Sequence, residues 1–69
     1  SPGGVQLSLG ARGTRVRGLQ IALVRRRIVV DIDGVFGPGT RKGVVRVQRR
    51  LGLAVSGTAD ADLLRRIEA

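Results

Sequence analysis

Val16-Arg17-Gly18-Leu19-Gln20-Ile21-Ala22-Leu23 and Val44-Val45-Arg46-Val47-Gln48-Arg49-Arg50-Leu51 share one frame, V-x-x-φ-Q-x-x-L, where φ is aliphatic. All four matched positions are offset by 28 (44 − 16, 47 − 19, 48 − 20 and 51 − 23). In each copy the residues stand at i, i+3, i+4 and i+7, which is one face of an α-helix. A repeat of this length marks a small supersecondary unit used twice. Each unit places a glutamine on an otherwise apolar face. A buried amide needs hydrogen-bond partners, and the loop packed on its own helix is the nearest source of them. Gln20 and Gln48 therefore read as braces for the following loops, with ligand contact as the alternative.

The flanking residues set the ends of these helices. Thr14 precedes the first periodic run and is the expected N-cap. The first helix is placed near residues 14–27, with Arg25-Arg26-Arg27 against the negative pole of its dipole. Gly18 costs about 1 kcal/mol relative to alanine inside a helix, so a close helix contact is its expected reason. Residues 28–32, Ile-Val-Val-Asp-Ile, are β-branched and read as a brief strand-like segment or an ordered loop. Asp33-Gly34 signals a turn. In Gly37-Pro38-Gly39-Thr40, Pro38 suits the first position of a second helix, because no intrahelical partner awaits its missing N–H. Gly37 is then the N-cap, and Gly52 the stop. Lys42, Arg46, Arg49 and Arg50 fall opposite the apolar face. Leu53 to Gly57 repeats the extended-then-turn logic, and Asp60 caps a third helix whose Leu63, Leu64 and Ile67 face inward. The expected fold is all-α: a small three-helix bundle with a pseudo-repeat of helix, extended loop and turn, and little or no sheet. Residues 1–6 read as a flexible lead-in and residues 7–69 as one domain.

With 69 residues the chain makes one small core. It has no Cys and no His, so neither a disulfide nor a typical zinc site is expected to staple it. No apolar run approaches the roughly 20 residues of a membrane-spanning helix. The same composition argues against catalysis: the acids are Asp31, Asp33, Asp60, Asp62 and Glu68, with no His or Cys nucleophile or base. Asp31-Ile32-Asp33-Gly34 has the start of a calcium loop, but such a loop needs further oxygen ligands and a closing Glu. Val35 and Lys42 stand where ligands would fall, so turn hydrogen bonding is the better reading. No cofactor and no metal are expected. Phe36, the single aromatic residue, is expected to plug the core. Single-strand nucleic-acid binding usually pairs basic grooves with stacking aromatics, which this surface would lack.

Charge is the strongest compositional signal. Thirteen Lys and Arg stand against five acids, a net +8. That balance favours polyanions such as nucleic acid, anionic lipid or the acidic polymers of a bacterial wall. It also fits the arginine bias of a GC-rich genome.

The ordered pattern Leu9-Gly10-x-x-Gly13-x-x-Val16-x-x-Leu19-Gln20-x-x-Leu23, Asp33-Gly34-Val35-Phe36-Gly37-Pro38-x-Thr40-x-x-x-Val44-x-x-Val47-Gln48 and Gly52-Leu53 resembles the three-helix peptidoglycan-binding domain. The resemblance runs from about Leu7 to Ile67. It departs from the family pattern at Val47, where an aromatic is usual, at the second turn, where Ser56-Gly57 replaces Asp-Gly, and at Leu64, where Trp is common. The resemblance implies a non-catalytic module of a bacterial or phage protein that holds a linked cell-wall enzyme domain on peptidoglycan or anionic wall polymers. It implies an extracytoplasmic location. A monomer is expected. Gly13, Leu19, Gln20, Leu23, Asp33, Gly34, Phe36, Gly37, Pro38, Val47 and Gln48 are read as structural. The expected ligand contacts, by position at the loop–helix junctions, are Arg12, Thr40 and Arg41. The competing reading is a basic nucleic-acid-binding or protein-docking domain.

Overall fold

Three helices form in a computed structural model that describes residues 6–68: α1 (Thr14–Arg25), α2 (Pro38–Arg50) and α3 (Ala61–Glu68). The lead-in read over residues 1–6 lies, apart from Gln6, outside the described residues. The apolar frame faces inward as its spacing requires. Val16, Leu19 and Leu23 of α1 are fully enclosed with Val44 and Val47 of α2 and Leu63 of α3. Phe36 enters this cluster from the loop before α2 and is 1% exposed. Full burial of a side chain of this kind stabilises by about 1.5–3 kcal/mol, so these few residues supply most of the cohesion. α1 lies against both other helices. The described residues contain no strand, only two isolated antiparallel bridges, Leu7 with Ala59 and Arg12 with Val35. The fold is an all-α three-helix bundle.

Several details differ from the sequence expectations. Gly13, not Thr14, caps α1, with φ of 117° and no side-chain bond. Its backbone does the tying: its N–H donates to the Gly34 carbonyl at 3.0 Å and its carbonyl accepts from Arg17 at 3.1 Å. The helix begins where the chain leaves the turn, so a hydroxyl cap has no role. α1 also ends at Arg25, two residues early. The Arg27 N–H donates to the Val24 carbonyl (2.9 Å) and the Ile28 N–H to the Leu23 carbonyl (3.0 Å). These two bonds define a Schellman reversal. It swings Ile28 into the core at 1% exposure, and it sets Arg27 at φ 66°, a left-handed conformation that usually falls to glycine. α2 closes with the same device, Gly52 to Arg49 and Leu53 to Gln48, and there Gly52 does occupy the left-handed position.

Of the two readings of residues 28–32, the loop holds and the strand-like segment does not. Ile28 is buried and Val29 is 91% exposed, because no neighbouring edge is present to pair the segment. The close contact expected at Gly18 is absent: a Cβ there would meet only the Glu68 carboxylate, at 3.6 Å. Gly43 carries the tight approach instead. A Cβ at Gly43 would stand 2.7 Å from Val30, 3.2 Å from Leu23 and 3.3 Å from Ile28. That glycine lets the loop after α1 lie on α2.

The arginines also join the helix ends. Arg50 donates to the Arg26 carbonyl at 2.8 Å, and Arg26 donates to the Arg66 carbonyl at 2.9 Å. Each guanidinium meets a carbonyl at the negative end of another helix, where a cation is favoured.

Candidate functional site

The two loops that follow the glutamine-bearing helices are built alike. The Gln20 carbonyl oxygen accepts from the Asp33 N–H at 3.0 Å and the Gly34 N–H at 2.8 Å. Its amide nitrogen lies 2.9–3.0 Å from Asp33 Oδ1, the Val35 carbonyl and Thr40 Oγ1. The Gln48 carbonyl oxygen accepts from Ser56 (3.0 Å) and Gly57 (3.1 Å), while its nitrogen donates to Ser56 Oγ and the Thr58 carbonyl, both at 3.1 Å. Asp33-Gly34-Val35 and Ser56-Gly57-Thr58 are thus equivalent turns, each held by one buried amide. The two glutamines are 0% and 4% exposed, and no buried side-chain nitrogen or oxygen among the described residues is left without a partner.

Both turns are stitched to the segment before α1. Gly10 donates to Phe36, and Phe36 to Ala11, at 3.0 and 2.9 Å; Leu7 and Ala59 exchange two bonds at 2.8 and 2.9 Å. The two turns and the segment before α1 therefore form one hydrogen-bonded rim and not a set of free tips.

The expected contact residues separate on this frame. Arg12 is exposed, paired through its backbone with Val35 of the first turn. Arg41 is exposed in the first part of α2 and lies across the second turn: a Cβ at Gly57 would come within 2.9 Å of its Nε. Arg41 thus packs on the second turn from the start of α2. Thr40, expected beside them as a ligand contact at the loop–helix junction, faces inward instead. It is 4% exposed, and its hydroxyl receives the Gln20 amide at 3.0 Å. Its position one helical turn before Val44 puts it on the inward face. Thr40 supports the turn from beneath and is not presented at the surface.

Asp33 is committed to the same turn. Its Oδ1 accepts from the Val35 N–H at 3.0 Å, and this bond, then that from Gln20, holds its carboxyl below the usual carboxylate range. Among the described residues no three His, Cys, Asp or Glu side chains stand together as a metal site would require. No helix among them is long and apolar enough to cross a membrane.

Sequence reasoning missed a groove of about 530 Å³ between the second turn and the start of α3. Leu53 and Leu63 line it together with Ser56, Thr58, Asp60 and Asp62. Asp60 Oδ1 accepts from the Leu63 N–H at 2.8 Å and so caps α3. Asp62 pairs with Arg66 at 3.0 Å and Arg65 at 3.4 Å; the Arg66 hydrogen bond is the main cause of its lowered pKa. The groove exists only because the loop after α2 folds back on α3. Its one local sequence signal is the hydroxyl-rich second turn followed by Asp60 and Asp62.

Residues 12–67 match the family of the peptidoglycan binding domain. Among solved structures, the SleB N-terminal domain superposes with a TM-score of 0.86 at 33% identity, over 91% of this chain and 88% of that one. A Burkholderia AP3 phage endolysin gives 0.88 at 34% identity, over 94% of this chain and 25% of the endolysin. A peptidoglycan-binding protein from Clostridioides difficile, solved with glutamine hydroxamate, gives 0.89 at 28% identity, over 93% of this chain and 40% of that one. The chain thus spans most of the first structure and less than half of the other two. No curated protein sequence matches it.

Proposed function

The chain belongs to the peptidoglycan binding domain family, and from that premise we propose that it is a non-catalytic module that holds peptidoglycan and anchors a linked cell-wall enzyme domain of a bacterial or phage protein. The observation that carries this reading is the family match across both glutamine-braced turns. The side-chain inventory agrees with a binding role: the chain has no His or Cys, Asp33 is spent on its turn, and Asp60 is spent on a helix cap. We place the contact surface on the rim, with Arg12 and Arg41 presented to the polymer and Thr40 beneath them. Such a module works outside the cytoplasmic membrane, where the wall is. Tethering raises the local concentration of the linked enzyme on its substrate, so a modest affinity is sufficient.

Retention on purified sacculi tests the proposal. The chain is expected to sediment with sacculi at low salt, and Arg12→Ala with Arg41→Ala to weaken that retention without lowering the melting temperature by more than a few degrees. Absence of retention of the parent chain at low salt would overturn it.

A further inference from the structure

α2 carries five cationic side chains and no acid. Two are engaged: Arg50 on the Arg26 carbonyl, and Arg41 across Gly57. The other three, Lys42, Arg46 and Arg49, are exposed, and among the described residues none has a carboxylate within ion-pair distance. At about 100° per residue they fall within roughly 60° of one another, directly opposite the buried Val44 and Val47, and they span about 10 Å along the axis. This arrangement acts against the helix. Lys42 with Arg46 is a like-charge i,i+4 pair and Arg46 with Arg49 a like-charge i,i+3 pair, both destabilising. The first turn holds no acid to offset cations near the positive pole of the dipole. α3 resolves the same problem with Asp62 between Arg65 and Arg66. A surface that keeps unpaired charge in one file is complementary to a ligand with charge in one file.

We propose that the outer face of α2 is a binding rail for a linear phosphodiester polymer, specifically a polyol phosphate of the cell wall, with Lys42, Arg46 and Arg49 each meeting one phosphate. The choice of a wall polymer over nucleic acid rests on the wall-binding reading and on the absence of any exposed ring: the one aromatic residue, Phe36, is 1% exposed and stacks on no base. The rail is separate from the rim, since it runs along the outer face of α2, whereas Arg41 turns onto Gly57 of the second braced turn.

Binding of the chain to purified poly(glycerol phosphate) is the test, run beside retention on sacculi stripped of phosphodiester polymers. For a flexible chain each neutralised phosphate contributes about 0.7 to the salt exponent, so three contacts predict a roughly 20-fold loss of affinity between about 50 and 200 mM salt. Lys42→Gln/Arg46→Gln/Arg49→Gln is expected to abolish that dependence and leave retention on stripped sacculi unchanged. Arg15→Gln/Arg17→Gln/Arg25→Gln removes the same charge from exposed positions of α1 and is expected to keep most of the binding. Equal losses in the two triple variants would reduce the effect to net charge and overturn the rail. Tighter binding to duplex DNA than to poly(glycerol phosphate) at about 150 mM salt would overturn the choice of polymer. Failure of the parent chain on stripped sacculi would refute peptidoglycan binding and leave the rail to be judged on the polymer alone. Thermal melting of the α2 variant, expected at or above the parent because like charges are removed, separates loss of binding from loss of fold.

Discussion

Replacing Gln20 with leucine keeps the bulk of the side chain and removes every bond its amide makes. Five groups lose a partner: the Asp33 and Gly34 N–H groups, Asp33 Oδ1, the Val35 carbonyl and the Thr40 hydroxyl. Asp33 and Val35 are exposed, so water replaces what they lose. Gly34 is half-buried and Thr40 is 4% exposed, so they are not easily rescued. An orphaned buried donor or acceptor costs about 1–3 kcal/mol, which puts Gln20→Leu at roughly 2–6 kcal/mol. A chain of 69 residues has a total stability of roughly 3–10 kcal/mol. The substitution therefore removes a large share of the stability and lowers the melting temperature by at least about 10 °C. Urea denaturation followed by far-UV circular dichroism measures it, and amide exchange at Gly34 reports the local loss. Gln48→Leu is expected to behave similarly, since it strands the buried Gly57 N–H in the equivalent turn. If Gln20→Leu stays within about 0.5 kcal/mol of the parent, the brace is not what holds the turn, and the reasoning from unsatisfied groups fails.

The two helical glycines with side-chain neighbours are expected to respond with opposite sign. Gly18→Ala has room and gains up to about 1 kcal/mol of helix propensity; Gly43→Ala drives a methyl against Val30 and loses about 1 kcal/mol net of the same gain. Chemical melts of the pair decide it, and equal stabilities would show that the loop over Gly43 yields freely. Asp60→Ala removes the α3 cap and is expected to cost about 1 kcal/mol, with fraying at Leu63 and Leu64 visible by amide exchange. Asp33 has a lowered pKa when folded, so its contribution is fully present above its ordinary value of 3.8 and is lost as pH falls below it. Asp33→Asn keeps the acceptor oxygen and cannot titrate, so its stability profile is expected to be flatter on the acid limb; an unchanged acid limb would assign acid unfolding to other groups.

The helices and their inward faces were legible because both rest on local spacing. The V-x-x-φ-Q-x-x-L frame places Val16, Leu19, Val44 and Val47 in the core, and a lone amide on an apolar stripe signals its own need for partners. Pro38 and Asp60 likewise marked helix starts through chemistry confined to one turn. Other features depend on where the chain goes next. α1 stops early because burying Ile28 requires a reversal, and the residue that reverses is Arg27, where sequence rules look for glycine or asparagine. The β-branched run at residues 28–32 has the propensity for a strand and no edge to join. Gly18 and Gly43 look equivalent in sequence and differ only in what lies above them. Thr40 was open to a better reading, since it extends the stripe of Val44, Val47 and Leu51 by one turn. The groove beside α3 is lined mostly by one short stretch, Leu53 to Leu63, but its shape depends on how that stretch folds back, which no residue pattern in it announces.

The paired bonds between Leu7 and Ala59 give the molecule an order of assembly. Gln48 closes a loop of 8 residues to Ser56 and Gln20 one of 13 to Asp33, whereas Leu7 and Ala59 are 52 apart (59 − 7). The entropy of closing the longest exceeds that of the shortest by about 1.7 kcal/mol, from 1.5RT ln(52/8). Each helix-and-turn unit can therefore form early by itself, and the latch that joins the first segment to the loop before α3 forms late. The same latch is the first structure to feel a load. A pull applied through the N-terminal side of the domain falls on two backbone hydrogen bonds before it reaches any helix, so a domain strained from that side yields at Leu7 while its two braced turns remain intact.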